Sequence, residues 1–334
     1  MATRKAAGND RATRALWYVG PRVVEVRSEP LPAPGAGEVL IRTLFSGVSR
    51  GTERLVLSGA ISRSEWKRMR AHLQVGDFPF PVKYGYCAAG VVEQGPPALV
   101  GRTVFVLHPH QERFIAPAAT AVPVPDAVPA RRATLAANME TALNALWDSG
   151  AGPADHIVVV GGGSVGLLVG YLASRLPGAG VTLVDVAAER AAIADTLGLD
   201  FALPEEAPEE ADVVFHTSAT AAGLNTAIRS AGFEATIVEL SWYGEGTVAA
   251  PLGGAFHSRR LRVVSSQVGQ IAPSRRPRWS HRRRLEAAVS LLHDPVLDHL
   301  ITEEIAFDDA PLKLPELLSP GAPGLAAVIR YATP

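Results

Sequence analysis

The chain has 334 residues, 47% of them apolar, with 32 Lys or Arg against 33 Asp or Glu and a net charge of −1. That length suits two domains, and that apolar share supports a sizeable core and excludes intrinsic disorder. The charge balance gives no general attraction to nucleic acid or anionic lipid. A single cysteine, Cys87, excludes an internal disulfide, a Cys-rich zinc site and an iron–sulfur cluster, and suits a reducing cytoplasm.

Residues 1–14 are polar and basic, lack the apolar core of a signal peptide and read as a flexible tail. Residues 15–130 read as β-rich: the apolar runs Arg22–Val26, Glu38–Leu44, Ala88–Glu93 and Arg102–Leu107 alternate with Pro and Gly turns. Ser64–Leu73 is expected to interrupt them as a helix. From residue 131 to 270 short β-branched strands alternate with helical stretches, which favours a parallel sheet of βαβ units. Ala133–Ser149 is the first helix, and Ile157–Val160, Val181–Asp185, Val213–His216, Thr236–Leu240 and Leu261–Val264 are the strands. The uncharged run Ile157–Ser174 is centred on three glycines and reads as strand, turn and helix rather than a membrane span. The acidic run Glu205–Glu210 is a solvated loop. A last helix, Arg282–Leu292, precedes strand-like and turn-like segments that end at Tyr331.

The strongest motif is His156-Ile-Val-Val-Val160-Gly161-Gly162-Gly163-Ser164-Val165-Gly166, which fits GxGxxG between an apolar strand and an apolar helix. Gly161 permits the tight turn, Gly163 lets backbone approach a pyrophosphate, and Gly166 lets the helix pack close to the strand. The helix N-terminus then offers N–H groups to the phosphates. The next strand ends in Asp185, 19 residues beyond Gly166, with no basic residue immediately after it. An acid there accepts hydrogen bonds from the adenosine ribose and repels a 2′-phosphate, so NAD(H) is expected over NADP(H).

With that motif placed second, after a β-rich domain, the sequence resembles the medium-chain dehydrogenase/reductase superfamily from about Arg14 to Tyr331. The landmarks are Pro34-Gly-Ala-Gly-Glu-Val-Leu-Ile41, Ser46-Gly-Val-Ser-Arg-Gly-Thr-Glu53, Tyr84-Gly-Tyr-Cys-Ala-Ala-Gly90 and the closing Leu300–Phe307. Ser46–Glu53, Ser241-Trp242-Tyr243-Gly244 and Ser265–Gly269 resemble most the group around bacteriochlorophyllide hydroxyethyl dehydrogenase. The resemblance implies an α/β fold with a GroES-like catalytic domain (15–135 and 271–334) and a Rossmann NAD-binding domain (136–270). It also implies a homodimer, and cofactor contacts at Arg50, Thr141, Gly161, Gly163, Ser164, Val165, Gly166, Asp185, Arg190 and Ser218.

The positions that hold catalytic zinc in the superfamily read Ser49, Tyr86 and Ala137, or Asn138 if the register shifts by one, and the four-cysteine lobe is missing. These are not the thiolate and imidazole ligands zinc prefers, so a zinc-lacking branch is expected. Without a Lewis acid the developing alkoxide needs a base or a hydrogen-bond donor. Tyr86 is a candidate, with Lys83 as perturber of its pKa and Tyr84 pointing the same way, or else an aromatic packing near the cofactor. Glu140 is a proton acceptor or substrate anchor, or else an exposed helix residue. Ser49 joins the catalytic set, and Glu53 with Thr52 forms a polar surround or caps a helix at Thr52–Leu57. Arg275, Arg276, Arg278, Arg282, Arg283 and Arg284 either capture an anionic substrate group or line a solvated loop and helix turn. His108 and His110 alternate on one strand-like run and are either two metal ligands or, with no third ligand nearby in sequence, a surface pair.

The expected function is a zinc-independent, NAD(H)-linked oxidoreductase acting on a secondary alcohol or ketone, with a bulky, anionic, ring-bearing small molecule as substrate. An enone or quinone reductase and a non-catalytic nucleotide-binding protein are the alternatives. No nucleic acid and no membrane enter that expectation.

Overall fold

A computed structural model describes residues 12–332, which divide into two compact units. The first comprises residues up to Thr134, Glu304–Pro323 and 327 onward; the second comprises Leu135–Glu303 and Gly324–Ala326.

In the first unit β1 (Ala12–Gly20) pairs antiparallel with β2 (Val23–Pro30), and β3 (Glu38–Val48) leads into α1 (Arg50–Ser58). Then come β4 (Val75–Gly76), β5 (Val82–Lys83), β6 (Ala88–Gln94), β7 (Thr103–Val106), β8 (Arg113–Pro117), β9 (Val122–Pro123) and the one-turn α2 (Ala130–Ala133). Val39, Ile41, Val92, Val104, Phe114 and Ala116 form the core between β3, β6, β7 and β8. The expected tail needs correcting at its end. Residues 1–11 lie outside those described, but Ala12–Arg14 are already strand, because the Thr13 hydroxyl donates to the Arg113 carbonyl and Arg14 pairs with Glu112. Ser64–Leu73 is no helix either: beyond a short 3₁₀ turn at Arg63–Glu65, Arg70 donates to the Gln74 and Gly76 carbonyls and pairs with Asp77, which holds the segment as turns.

The second unit starts with α3 (Ala136–Ser149), which Gly150 ends in the left-handed conformation, φ +73°. It continues with β10 (His156–Val160), α4 (Ser164–Ala173), β11 (Gly180–Val184), α5 (Arg190–Leu197), β12 (Asp200–Ala202), β13 (Ala211–His216), α6 (Ala221–Ser230), β14 (Ala231–Glu239), α7 (Ala255–Ser258), β15 (Arg262–Ser265) and α8 (His281–Leu291). The six strands run parallel in the order β12-β11-β10-β13-β14-β15. The order reverses between β10 and β13, and in such sheets ligands bind at the carboxyl ends of the strands flanking that reversal. The expected boundary at residue 270 falls too early, because α8 packs on α3 and its Arg284 is buried against it.

The chain then returns through β16 (Ile301–Ala306) and α9 (Ala310–Leu317) to β17 (Ala326–Arg330), which pairs antiparallel with β3. The larger antiparallel sheet has the order β16-β17-β3-β6-β7-β9, with β8 also on β3. Among the described residues no helix is long and apolar enough to cross a membrane.

His108 and His110 are no surface pair. His108 is buried, stacked 3.6 Å from the Phe114 ring, and burial lowers its pKa to about 3. A histidine depressed in the fold and near 6.5 when unfolded stabilises fully above pH 6.5 and loses that contribution as pH falls toward 3. His108→Gln should therefore flatten the acid limb of the stability curve by up to one proton, about 1.4 kcal/mol per pH unit, in urea titrations between pH 6.5 and 4.

Candidate functional site

The nucleotide loop lies at the switch between β10 and β13. Gly161 adopts φ +113°, and a Cβ there would come within 2.7 Å of the Ser218 nitrogen and 2.8 Å of Thr217 Oγ1. A Cβ on Gly166 would overlap the Gly161 carbonyl oxygen, so α4 comes this close to the turn only as glycine. Gly163 is exposed with open space about it, and as N-cap of α4 it has no side chain to cover the helix's first N–H groups, which leaves them to a phosphate. Ser164 and Val165 begin that helix, half-buried.

Asp185 follows β11 directly. Its Oδ2 accepts from the Gly162 N–H at 2.5 Å and its Oδ1 from the Ala187 N–H at 2.9 Å. A carboxylate has about four lone-pair sites, so it can still accept ribose hydroxyls. Arg190 packs its stem against Gly162, while its guanidinium donates to the Gly324 carbonyl at 2.9 Å. The glycines, open helix end and oriented acid fit a dinucleotide.

In the first unit Tyr86 donates to Ser49 Oγ at 2.5 Å, and its hydroxyl is raised well above the usual phenol range, chiefly by burial. Lys83 does not lower it. That ammonium is buried elsewhere, on Glu29 at 2.6 Å and Gln111 at 2.9 Å. Tyr84 and Tyr86 meet edge to face, centroids 6.0 Å apart, across Gly85 at φ +117° rather than along a regular strand. Behind them the fully buried Glu53 carboxylate accepts from the Ser49 N–H (2.7 Å) and the Tyr18 hydroxyl (2.6 Å) and bonds His110 Nε2 (3.0 Å). His110 Nδ1 reaches Ser46 Oγ at 2.7 Å, and Ser46 reaches the Tyr331 hydroxyl at 2.8 Å. Glu53 thus fixes the N-terminus of α1 and the backbone of Ser49. Arg50, expected on a pyrophosphate, instead donates to the Leu317, Ala322 and Pro323 carbonyls at the end of α9.

Glu140 is neither exposed nor free. Its carboxylate lies 3.0 Å from Arg284 Nε, both buried, and burial raises its pKa while Arg284 opposes the rise. Arg284 also donates to Asn144 and to the Val268 and Gln270 carbonyls. Thr141, the next residue, donates its hydroxyl to the Ala137 carbonyl of its own helix. The arginine cluster does not converge on one anion: Arg275 covers Trp147, Arg283 covers Trp279, and Arg282 pairs with Glu286.

Sequence reasoning placed His216 and Glu239 only within or beside strands. They end β13 and β14 in register with each other, and His216 Nδ1 lies 2.7 Å from Glu239 Oε2. His216 Nε2 lies 2.7 Å from Ser218 Oγ. The available signal was the placement of two titratable residues at the carboxyl ends of adjacent parallel strands.

No family model matches the chain. D-guloside 3-dehydrogenase of Escherichia coli K12 is 26% identical to it over 330 residues, 89% of this chain and 94% of that one. An uncharacterized zinc-type alcohol dehydrogenase-like protein of Haemophilus influenzae is 26% identical over 344 residues, 91% and 94% of the two chains. Among solved structures, L-idonate 5-dehydrogenase of E. coli superposes with a TM-score of 0.79 at 14% identity, covering 96% of this chain and 98% of that one.

Removing one partner of a buried ion pair strands the other charge. Arg284→Met should cost about 3–5 kcal/mol in denaturant titration, and adding Glu140→Met should recover at least half of that loss.

Proposed function

We propose that this chain, a member of the medium-chain dehydrogenase/reductase superfamily, is an NAD(H)-linked oxidoreductase that moves a hydride between its cofactor and a secondary alcohol or the matching ketone, without zinc. The observation that carries the reading is the glycine turn at Gly161–Gly166 with Asp185 bonded across it to Gly162. When bound, the nicotinamide supplies the hydride chemistry; the protein orients the substrate and manages charge on its oxygen. A negative Asp185 fixed by two backbone N–H groups favours ribose hydroxyls over a 2′-phosphate, which supports NAD(H).

The donor set does not suit zinc. The three positions carry the Ser49 and Tyr86 hydroxyls, bonded to each other, and the methyl of Ala137. The neighbouring Cys87 thiol is pushed up by burial and by Glu53, away from the thiolate a metal needs. Tyr86, its pKa raised, keeps its proton and donates it to Ser49 Oγ, which leaves the Ser49 hydroxyl as the hydrogen-bond donor to substrate oxygen and neither group as a base. The relative named for D-guloside makes a sugar-type secondary alcohol the first substrate class to test, ahead of a bulky anionic ring. A second copy pairing along the edge strand β15, where Val263 is 44% exposed, is the assembly we propose.

Fluorescence titration should give NADH binding at least tenfold tighter than NADPH, about 1.4 kcal/mol. Asp185→Ser should shrink that ratio, and a preference for NADPH in the wild type would overturn the assignment. Metal analysis of active protein should find less than stoichiometric zinc, with activity retained after chelation; parallel loss of both would overturn zinc independence. Ser49→Ala should lower kcat by about 10²-fold, the loss expected from removing one donor to a developing oxyanion, with NADH binding unchanged.

A further inference from the structure

The charges of the second unit are sorted along the chain. Residues 246–285 carry nine arginines and no Asp or Glu, whereas residues 186–212 carry eight Asp or Glu and a single arginine, Arg190. The first stretch surrounds β15 and the second surrounds β12, the two edge strands of the parallel sheet. Like charges gathered on one surface repel each other, so a patch of one sign is costly unless something of the other sign meets it.

Several arginines of this unit find carboxylates within it. Arg175 pairs with Asp294 at 3.1 Å, Arg259 with Glu210 at 2.6 Å, Arg260 with Glu234 at 2.7 Å and Arg282 with Glu286 at 2.6 Å. Arg275, Arg276, Arg278 and Arg283 are exposed, and none of them has an ion pair among the described residues. Most of them are nonetheless held in place. Arg276 Nε donates to the Ile271 carbonyl at 2.8 Å, and Arg283 Nη1 to the Arg278 carbonyl at 2.7 Å. Arg275 stands 5.5 Å over the Trp147 ring and Arg283 4.1 Å over the Trp279 ring. The two tryptophans are half-buried and pack on each other, with centroids 4.7 Å apart. Three of the four cations are therefore ordered before a partner arrives, which lowers the entropy cost of docking. Arg and Trp are also the residue types that dominate the energy of protein interfaces. Because the four do not converge on one anion, they suit a partner that presents several carboxylates in a row.

The chain itself presents such a row. Between β12 and β13 the exposed Glu205, Glu206 and Glu209 have no ion pair among the described residues. Their loop is anchored by Ala207, packed on the core of the sheet, and by Arg229, bonded to the Pro204 carbonyl. We propose that the arginine and tryptophan face of one copy docks the acidic loop of a second copy, with the guanidiniums of Arg275, Arg276, Arg278 and Arg283 on the carboxylates of Glu205, Glu206 and Glu209. A guanidinium fork matches a carboxylate in shape as well as charge. Nucleic acid suits the face less well, because its phosphates would also meet a net charge of −1 and the eight acids of the same unit. The contact is separate from pairing along β15. Strand pairing joins backbone groups and resists salt, whereas this contact joins exposed charges and weakens as salt screens them. It uses no residue of the glycine loop and neither Ser49 nor Tyr86, so it does not rest on the dehydrogenase reading.

Sedimentation of the full chain reads the contact as mass gained when salt is lowered. The dissociation constant of that salt-sensitive step should fall at least about tenfold between about 500 mM and about 25 mM NaCl. Arg276→Glu with Arg278→Glu, which leaves both tryptophan stacks in place, should weaken the step at low salt by about tenfold or more and leave the high-salt mass unchanged. Glu205→Lys with Glu206→Lys should do the same from the other side of the contact. Mixed in equal amounts, the two variants offer each other opposite charges again, and the step should return to within about threefold of wild type. Arg63→Glu with Lys67→Glu matches the first variant in charge but lies on neither face, and it should keep the step. A wild type whose mass is the same at both salts, a mixture that stays apart, or equal loss in the charge-matched control overturns the proposal. A wild type that does not self-associate but binds a labelled single-stranded oligonucleotide at low salt also overturns it and gives the face to nucleic acid.

Discussion

The second unit is organised around a contact that admits no side chain. At the β10–β13 switch the Gly161 carbonyl, the start of α4 and Thr217 converge so closely that Gly166 has no room for a Cβ, and the Thr217 hydroxyl donates to the Gly161 carbonyl at 2.8 Å. That convergence aims the bare end of α4 outward, carries Gly162 onto Asp185, and sets Ser218 beside the turn. The proposed preference for NAD(H) depends on this placement. A larger residue there would displace the helix, the acid and the hydroxyl together.

The first unit holds its candidate site by hydrogen bonding: the Ser49 and Tyr86 hydroxyls are bonded to each other and backed by a buried carboxylate. Buried polar groups are tolerable only when satisfied, and Glu53 meets that condition with Tyr18, His110 and the Ser49 backbone around it. The charge of Glu53 disfavours ionisation of its neighbours. Tyr18 and Cys87 are both held protonated, by burial first and by Glu53 second. The result is a buried cluster around Glu53 whose Tyr18 hydroxyl and Cys87 thiol keep their protons.

The glycine loop, the parallel strands and Asp185 were legible in the sequence because they need particular residue types at fixed short spacing, and the structure has them where the pattern put them. What escaped was set by partners distant along the chain. Arg284 looked like one of six surface arginines, and its bonds to Glu140 and Asn144, 144 and 140 residues away, make it a core residue and draw α8 into the nucleotide unit. His110 read as exposed because nothing local announced Glu53, and Lys83 read as a neighbour of Tyr86 because Glu29 and Trp17 lay out of sight. The His216–Glu239 pair depends on two strands lying side by side in register, which periodicity along one strand does not reveal.

The chain leaves the β-rich unit after Thr134 and re-enters it only after residue 303, ending with β17 laid on β3. Ser46 therefore waits 285 residues for Tyr331, the hydroxyl that completes its bonding. On the ribosome the order of assembly runs from the inside out. Every strand of the parallel sheet, and the helix that shields Glu140, has been synthesised while the Phe45–Val48 end of β3 still lacks its β17 neighbour. Until residues 326–330 emerge, the nascent β-rich unit exposes an unpaired strand edge at Phe45–Val48, a template for wrong pairing during translation.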